Sequence, residues 1–255
     1  MSPAGAVGLP QQIQACLFDL DGVLTETATV HAAAWKQMFD AFLQARAEKS
    51  GGHFIEFDLL ADYDTYVDGK SRADGTRSFL RARGIELPMG DPGGPADRRT
   101  IGGLGAAKNV ILMRRIRCDG VDPYPGSVRY VRAVLSAGLR TAVVSSSVNC
   151  AEVLTAAGIA DLFDTRIDGV TVQEQHLDGK PAPDTYLAAA RVLGVDPDGA
   201  AVFEDALSGV AAGRAGGFGF VVGVDRVGQS EELREHGADR VVTDLEQLLD
   251  PDDPA

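Results

Sequence analysis

Apolar residues follow two rhythms along the chain. The first is a set of short, unbroken runs: Cys16-Leu17-Phe18, Ala142-Val143-Val144 and Ala201-Val202-Phe203. Runs of this length without alternation predict strands buried on both faces. The second is helical. Val30, Ala33, Ala34, Met38 and Phe42 recur at helical spacing and predict a helix over 27–49, closed by Ser50-Gly51-Gly52. Further helices are expected over 71–83, ending at Gly84, and over 106–117, with a Gly-, Pro- and Asp-rich loop over 86–105 between them. From residue 127 the rhythms alternate. Helices over 127–137, 149–157, 183–193, 206–215 and 230–236 alternate with strands over 141–145, 164–167, 201–203, 219–222 and 240–242. Such alternation predicts an α/β fold with a parallel sheet covered on both faces. The first strand, over 14–20, stands apart from the others, and 27–120 holds helices without a convincing parallel strand. The expected organisation is therefore a core from residues 1–26 and 121–255 with a helical segment, 27–120, inserted after the first strand. Residues 1–12 read as a loose leader and the acidic end, 250–254, as frayed.

Composition narrows the function. The chain has 255 residues, 45% hydrophobic and 24% charged, with a formal net charge of −13. That charge argues against a nucleic-acid partner held by bulk attraction. A phosphorylated substrate would need local cations, from Lys, Arg or a metal, working against the overall field. Cys16, Cys118 and Cys150 are scattered and odd in number, which predicts reduced thiols. No basic, apolar leader and no apolar stretch of spanning length is present in the sequence, so a cytoplasmic protein with no membrane partner is expected.

The chemistry begins where the first strand ends. Asp19-Leu20-Asp21-Gly22 sets two carboxylates two residues apart, followed by a glycine that permits a sharp turn. Open α/β sheets bind ligands at the carboxyl ends of their strands, and residues i and i+2 of an extended segment point the same way. One carboxylate can then attack while the other moves a proton. Three later segments extend the pattern: a strand ending in the hydroxyl of Ser145, Gly179-Lys180-Pro181-Ala182-Pro183-Asp184 leading into a helix, and a strand ending in Glu204-Asp205. A carboxylate attacking a phosphoryl group faces like-charge repulsion, which a divalent cation relieves. Mg²⁺ favours oxygen ligands, and Asp19 and Asp205 are its natural side-chain ligands.

This ordered set resembles the haloacid dehalogenase superfamily of phosphotransferases over residues 15–249, and within it the β-phosphoglucomutase branch. The narrower likeness rests on His31, Trp35-Lys36, Gly69-Lys70-Ser71-Arg72, Lys108-Asn109, Tyr124-Pro125-Gly126, Ser147 and Asn149. The resemblance implies a Rossmann-like parallel-sheet core with an α-helical cap, and a monomer acting on a small phosphorylated sugar through an aspartyl phosphate at Asp19. It implies Asp21 as acid and base, Lys180 as the cation that neutralises the transferring phosphoryl group and holds Asp19 ionised, and Ser145 as a donor to the phosphate oxygens. To the metal it adds the Asp21 main-chain carbonyl and a supporting role for Glu204. It also implies substrate contacts from His31, Gly69, Lys70, Arg72, Lys108, Ser147 and Asn149, with Arg72 the cation best suited to a second phosphate.

Each residue also has a plainer reading. Glu204-Asp205 can cap the next helix, Lys180 can be a surface loop lysine, Ser145 can belong to an ordinary turn, and Arg72 and Lys108 can be solvated helix charges. Two positions depart from the branch. Val148 stands between Ser147 and Asn149, and Asp68 precedes Gly69, where lysines are common. Lys70 can compensate. Both departures, with extra sequence near 50–62 and 86–105, leave a sugar-phosphate phosphatase beside the mutase as an expectation, and a non-catalytic binding module behind both.

Overall fold

The computed structural model describes residues 2–91, 95–97 and 99–249. The chain forms two compact units, Met1–Glu26 with Val121–Ala255, and Thr27–Gly120.

The first unit is built on a six-stranded sheet. Its strands are β1 (Ala15–Phe18), β2 (Arg140–Val144), β3 (Thr165–Ile167), β4 (Ala200–Glu204), β5 (Phe220–Val224) and β6 (Arg240–Val242). They pair in parallel in the order β3-β2-β1-β4-β5-β6. β1 and β4 are buried at every position, as unbroken apolar runs require of strands covered on both faces. Side chains alternate between those faces. Ala15 and Leu17 join Val202, Val221, Tyr186 and Val210 in one core. On the other face, Phe18 stacks on Phe203 with ring centroids 4.5 Å apart and meets Tyr130 edge-on at 6.3 Å. The register sets Phe18 beside Val143 and Phe203, so the residues that follow these three strands share one carboxyl edge.

In the helical unit, α1 (Thr27–Ser50), α2 (Arg72–Ala82) and α3 (Ile101–Asp119) pack with a π-helical turn at Tyr63–Val67. Its core is aromatic. Phe39 lies 5.2 Å from Trp35, 5.2 Å from Phe57 and 4.2 Å from Phe79, centroid to centroid. In the sheet unit, α4 (Pro125–Ser136), α5 (Cys150–Ala156), α6 (Gly169–Gln175), α7 (Asp184–Leu193), α8 (Leu207–Ala215) and α9 (Ser230–Glu235) follow in order. Among the described residues, no helix is long and apolar enough to cross a membrane.

The structure corrects three expectations. The leader is not loose: Ala4–Val7 forms a 3-10 turn, Ala4, Val7 and Leu9 are buried, and the Tyr130 hydroxyl donates to the Val7 carbonyl at 3.0 Å. Its few apolar residues lack any period, which hid them. α3 starts at Ile101, inside the predicted loop. Thr100 caps it by accepting from Gly103 N at 2.9 Å. A Cβ at Gly103 would lie 2.0 Å from the Asp97 carbonyl oxygen, so the glycines that read as loop are what let the preceding chain lie on the helix. α6 was not expected; the buried carboxylate of Asp168 begins it by accepting from Val170 N and Thr171 N. The acidic end expected to fray, 250–254, lies outside the described residues.

Candidate active site

Asp19 follows β1, and its N–H still donates to the Phe203 carbonyl at 3.0 Å. The backbone is thereby held in the sheet up to the residue that carries the carboxylate. Lys180 reaches the same edge. Its ammonium donates to Asp19 Oδ1 at 2.5 Å, to the Val144 carbonyl at 3.3 Å, and to Glu204 Oε1. An ammonium has three protons, so these three acceptors satisfy it. Glu204 is fully engaged as well, taking the Tyr186 hydroxyl on Oε1 at 3.0 Å and Ala206 N on Oε2 at 3.0 Å. Lys180 and Glu204 are 4% and 0% exposed, so this charge is desolvated and must be paired.

Burial would pull the Lys180 pKa down, but Asp19 and Glu204 outweigh it and hold the ammonium well above its ordinary range. Burial holds the Asp19 carboxyl well above the usual aspartate range, because the pull of Lys180 toward the ionised form is opposed by Glu204 and Asp21 as well. One lysine between two carboxylates leaves the edge net negative, an electrostatic setting that favours a further cation.

The donors for such a cation are present. Asp19, Glu204 and Asp205 are all buried, and each offers an oxygen within 4.8 Å of the others. An all-carboxylate set suits a hard divalent ion such as Mg²⁺. Because Glu204 is already bonded on both oxygens, Asp19 and Asp205 are the better direct donors. Asp205 is steadied by Gln229, whose side-chain amide donates to its main-chain carbonyl at 3.0 Å.

Two glycines make room for these carboxylates. Gly22 has φ +91°, and a Cβ there would fall 1.8 Å from Asp205 Oδ2. A Cβ at Gly209, on α8, would fall 1.8 Å from Glu204 Oε1. Gly22 belongs to the turn that carries Asp21. Leu24 N, Thr25 N and the Thr25 hydroxyl all donate to the Leu20 carbonyl, and Gly22 N donates to Thr25 O at 2.8 Å. Asp21 is therefore mounted on a closed loop of backbone hydrogen bonds, not on a free segment.

Ser145 follows β2 and is 2% exposed. Its hydroxyl accepts from Ser147 N at 3.1 Å, and the Ser147 hydroxyl accepts from Asn149 N at 3.2 Å. These turns lead the chain into α5. The Ser147 carbonyl takes Gly169 N at 3.1 Å, where a Cβ on Gly169 would strike Val148 N at 2.7 Å.

The other expected site residues lie in the helical unit. Lys108 is 1% exposed, so the solvated-charge reading fails there. Its ammonium sits 3.1 Å from His31 Nδ1 and 4.9 Å from the centre of the Trp35 ring. The Lys70 ammonium donates to the Thr65 and Tyr66 carbonyls at 3.0 and 3.2 Å, and Gly69 beside it has φ +67°. Arg72 opens α2 and donates to the Gly105 carbonyl at 3.4 Å. Burial holds its pKa below the usual arginine range.

The sheet unit thus brings Asp19, Lys180, Glu204 and Asp205 together at one edge, and the helical unit brings His31 and Lys108 together. Sequence reasoning missed Tyr186, Gly209 and Asp168. For Tyr186 no local signal exists, because its hydroxyl meets Glu204 only through the fold. Asp168 does carry one, a carboxylate followed by a glycine two residues before β-branched Val170 and Thr171.

A family model described as haloacid dehalogenase-like hydrolase matches residues 13–217. The β-phosphoglucomutases of Mycobacterium bovis and Mycobacterium tuberculosis are each 58% identical to the chain over 246 residues, covering 95% of it and 94% of theirs. The β-phosphoglucomutase of Bacillus subtilis is 31% identical over 236 residues, covering 92% of each. Among solved structures, that of a Clostridium difficile β-phosphoglucomutase superposes with a TM-score of 0.72 at 28% identity, covering 92% of this chain and 93% of that one.

Proposed function

The chain belongs to the haloacid dehalogenase-like hydrolase family, and from that premise we propose that it is a Mg²⁺-dependent sugar phosphotransferase that converts β-glucose 1-phosphate to glucose 6-phosphate. The observation that carries this reading is the buried arrangement of Asp19, Lys180 and Glu204 with Asp205 beside them. A carboxylate held against an ammonium at a strand end is poised as a nucleophile toward a phosphoryl group. Likeness to β-phosphoglucomutases over nearly the whole chain supports the same substrate.

In this reading an Asp19 oxygen forms the bond to phosphorus as the bond to the sugar oxygen breaks. Asp21 gives its proton to the departing oxygen, then takes one from the hydroxyl that attacks the aspartyl phosphate. Lys180 favours the ionised form of Asp19 against burial and neutralises a phosphoryl oxygen, and Glu204 and Tyr186 hold Lys180 in place. Ser145 donates its hydroxyl proton to another phosphoryl oxygen. Asp19, Asp205 and the Asp21 carbonyl would hold Mg²⁺, with Glu204 in support; the ion, when bound, offsets the repulsion between carboxylate and phosphate. Arg72 is the cation proposed for the second phosphate, with Lys108, His31, Gly69, Lys70, Ser147 and Asn149 as further sugar-phosphate contacts. The two units act in these roles as core, residues 1–26 and 121–255, and cap, residues 27–120. The protein is read as a cytoplasmic monomer, in keeping with its unpaired cysteines.

A second reading, a sugar-phosphate phosphatase using the same residues with water as acceptor, is favoured by the missing cations at Val148 and Asp68. Lys70 is an incomplete substitute, since its ammonium is bonded to its own segment's carbonyls. The test is incubation with Mg²⁺ and β-glucose 1-phosphate, with and without a glucose bisphosphate primer. Primer-dependent glucose 6-phosphate supports the mutase. Free phosphate as the main product overturns it in favour of the phosphatase.

A further inference from the structure

Arg226 lies outside every role given so far, yet it touches the turn that carries Asp21. It follows β5, and its side chain is 16% exposed. The guanidinium lies flat against Tyr124, 3.6 Å from the ring centre. Nε donates to the Gly22 carbonyl at 2.8 Å and Nη1 to the Thr243 carbonyl at 2.7 Å. Among the described residues its ion-pair partner is Asp244, 3.8 Å away, a looser contact than the two hydrogen bonds. Nη2 is buried with no hydrogen-bond partner. Its contacts are thus with Gly22, Thr243 and Tyr124, and two of these three bear on the turn that carries Asp21.

Gly22 is the informative partner. Its peptide passes so close to Asp205 that no Cβ fits, and its N–H is used inside the turn. The turn's other internal bonds converge on the Leu20 carbonyl. The Gly22 carbonyl is left facing outward, and Arg226 takes it. Tyr124, under the guanidinium, donates its own N–H to the Leu24 carbonyl at 2.9 Å, in the same turn. One side chain therefore holds this turn directly at Gly22 and through Tyr124 at Leu24. Asp19 does not depend on it, being fixed by Phe203 and Lys180.

We infer that Arg226 is a positioning residue that aims the Asp21 carboxyl by fixing the Gly22 peptide. The inference rests on the phosphotransfer reading, in which Asp21 protonates the leaving oxygen. Without Arg226 the turn keeps its internal bonds and the Ser127 hydroxyl's bond to the Val23 carbonyl at 2.6 Å, but the Gly22 peptide, next to Asp21, loses its holder and can tilt while the nucleophile stays in place. Protonation would suffer and attack would not. That predicts an effect graded by leaving group: an aryl oxide leaves without help, whereas a sugar oxygen needs the proton.

The test is kcat/KM with Mg²⁺ for a series of phosphate monoesters, from 4-nitrophenyl phosphate to β-glucose 1-phosphate. Arg226→Ala should fall by no more than about threefold on the nitrophenyl ester and about 100-fold on the sugar phosphate, the scale of a misaimed proton donor. Arg226→Met keeps an unbranched side chain and removes the guanidinium with its donors and its stacking on Tyr124; it should show the same graded loss, and it carries the test if the alanine variant does not fold. Equal losses across the series, or none, overturn the inference. A wild-type protein that transfers phosphate from no ester removes the phosphotransfer reading itself, whereas an active wild type with an ungraded variant removes only the role of Arg226.

Discussion

Lys180 decides the electrostatics of the candidate site. It is the cation bonded to both Asp19 and Glu204, and all three are buried. Removing it leaves two desolvated carboxylates side by side. Lys180→Met should therefore destabilise the protein by about 3–5 kcal/mol, the range for breaking a buried pair by deleting one partner. Urea unfolding checks this, and Glu204→Gln added to the same variant should recover part of the loss. No change in the unfolding midpoint would mean that the pair is solvated in solution. Asp19, Lys180 and Asp205 were legible as candidates because each stands where a predicted strand or loop ends. Their bonding was not, since Lys180 and Asp19 are 161 residues apart and no local pattern encodes a contact at that separation. Nor was the reason for Gly22, whose backbone φ and contact with Asp205 exist only once β1 and β4 pair.

At the scale of elements, the apolar runs within β1, β2 and β4 read as strands because burial on both faces confines polar residues to their ends. Elements started by a cap or by glycines were harder to read. α3 begins with Ile101-Gly102-Gly103, a poor helix by propensity, and forms because the Thr100 cap and the chain packed on those glycines outweigh it. The turn that leads into α9, which has no side-chain cap of its own, is held by one carboxylate. Asp225 accepts from Val227 N, Gly228 N and Gln229 N, and the Ser230 hydroxyl also donates to it. Burial pushes this carboxyl up, but those donors outweigh it and hold it below the ordinary aspartate range. A depressed folded pKa means that the stabilisation is complete above the unfolded value, about 3.9, and is lost as pH falls through the folded value. Asp225→Asn should cost about 1 kcal/mol near pH 7, and the gap from wild type should close below about pH 4. Thermal unfolding at both pH values reads it; a gap that persists in acid would mean that the charge is irrelevant.

For the whole molecule, the net charge of −13 makes each placed cation count. Binding a sugar bisphosphate requires positive charge away from Asp19 as well as near it. Arg72 is proposed for that role. Arg72→Ala should then lower kcat/KM on glucose phosphates by about 2–3 kcal/mol more than on a small aryl phosphate, the scale of a charge-assisted hydrogen bond. Equal losses would assign Arg72 to the fold through its bond to Gly105. Chelation should abolish turnover and added Mg²⁺ restore it, and Asp205→Ala should need more Mg²⁺ for the same recovery. Full activity in chelator would remove Asp19 and Asp205 as ligands.

The central claim is that Asp19 carries the phosphoryl group. Rapid quenching after mixing with glucose bisphosphate labelled in its phosphates tests it most directly, with the labelled residue located by peptide mapping. The account predicts label on Asp19 in the wild type, formed and discharged at least as fast as turnover. Asp19→Asn should take up none and lose turnover by several orders of magnitude while remaining folded. Label on another residue, or turnover retained in Asp19→Asn, would contradict it.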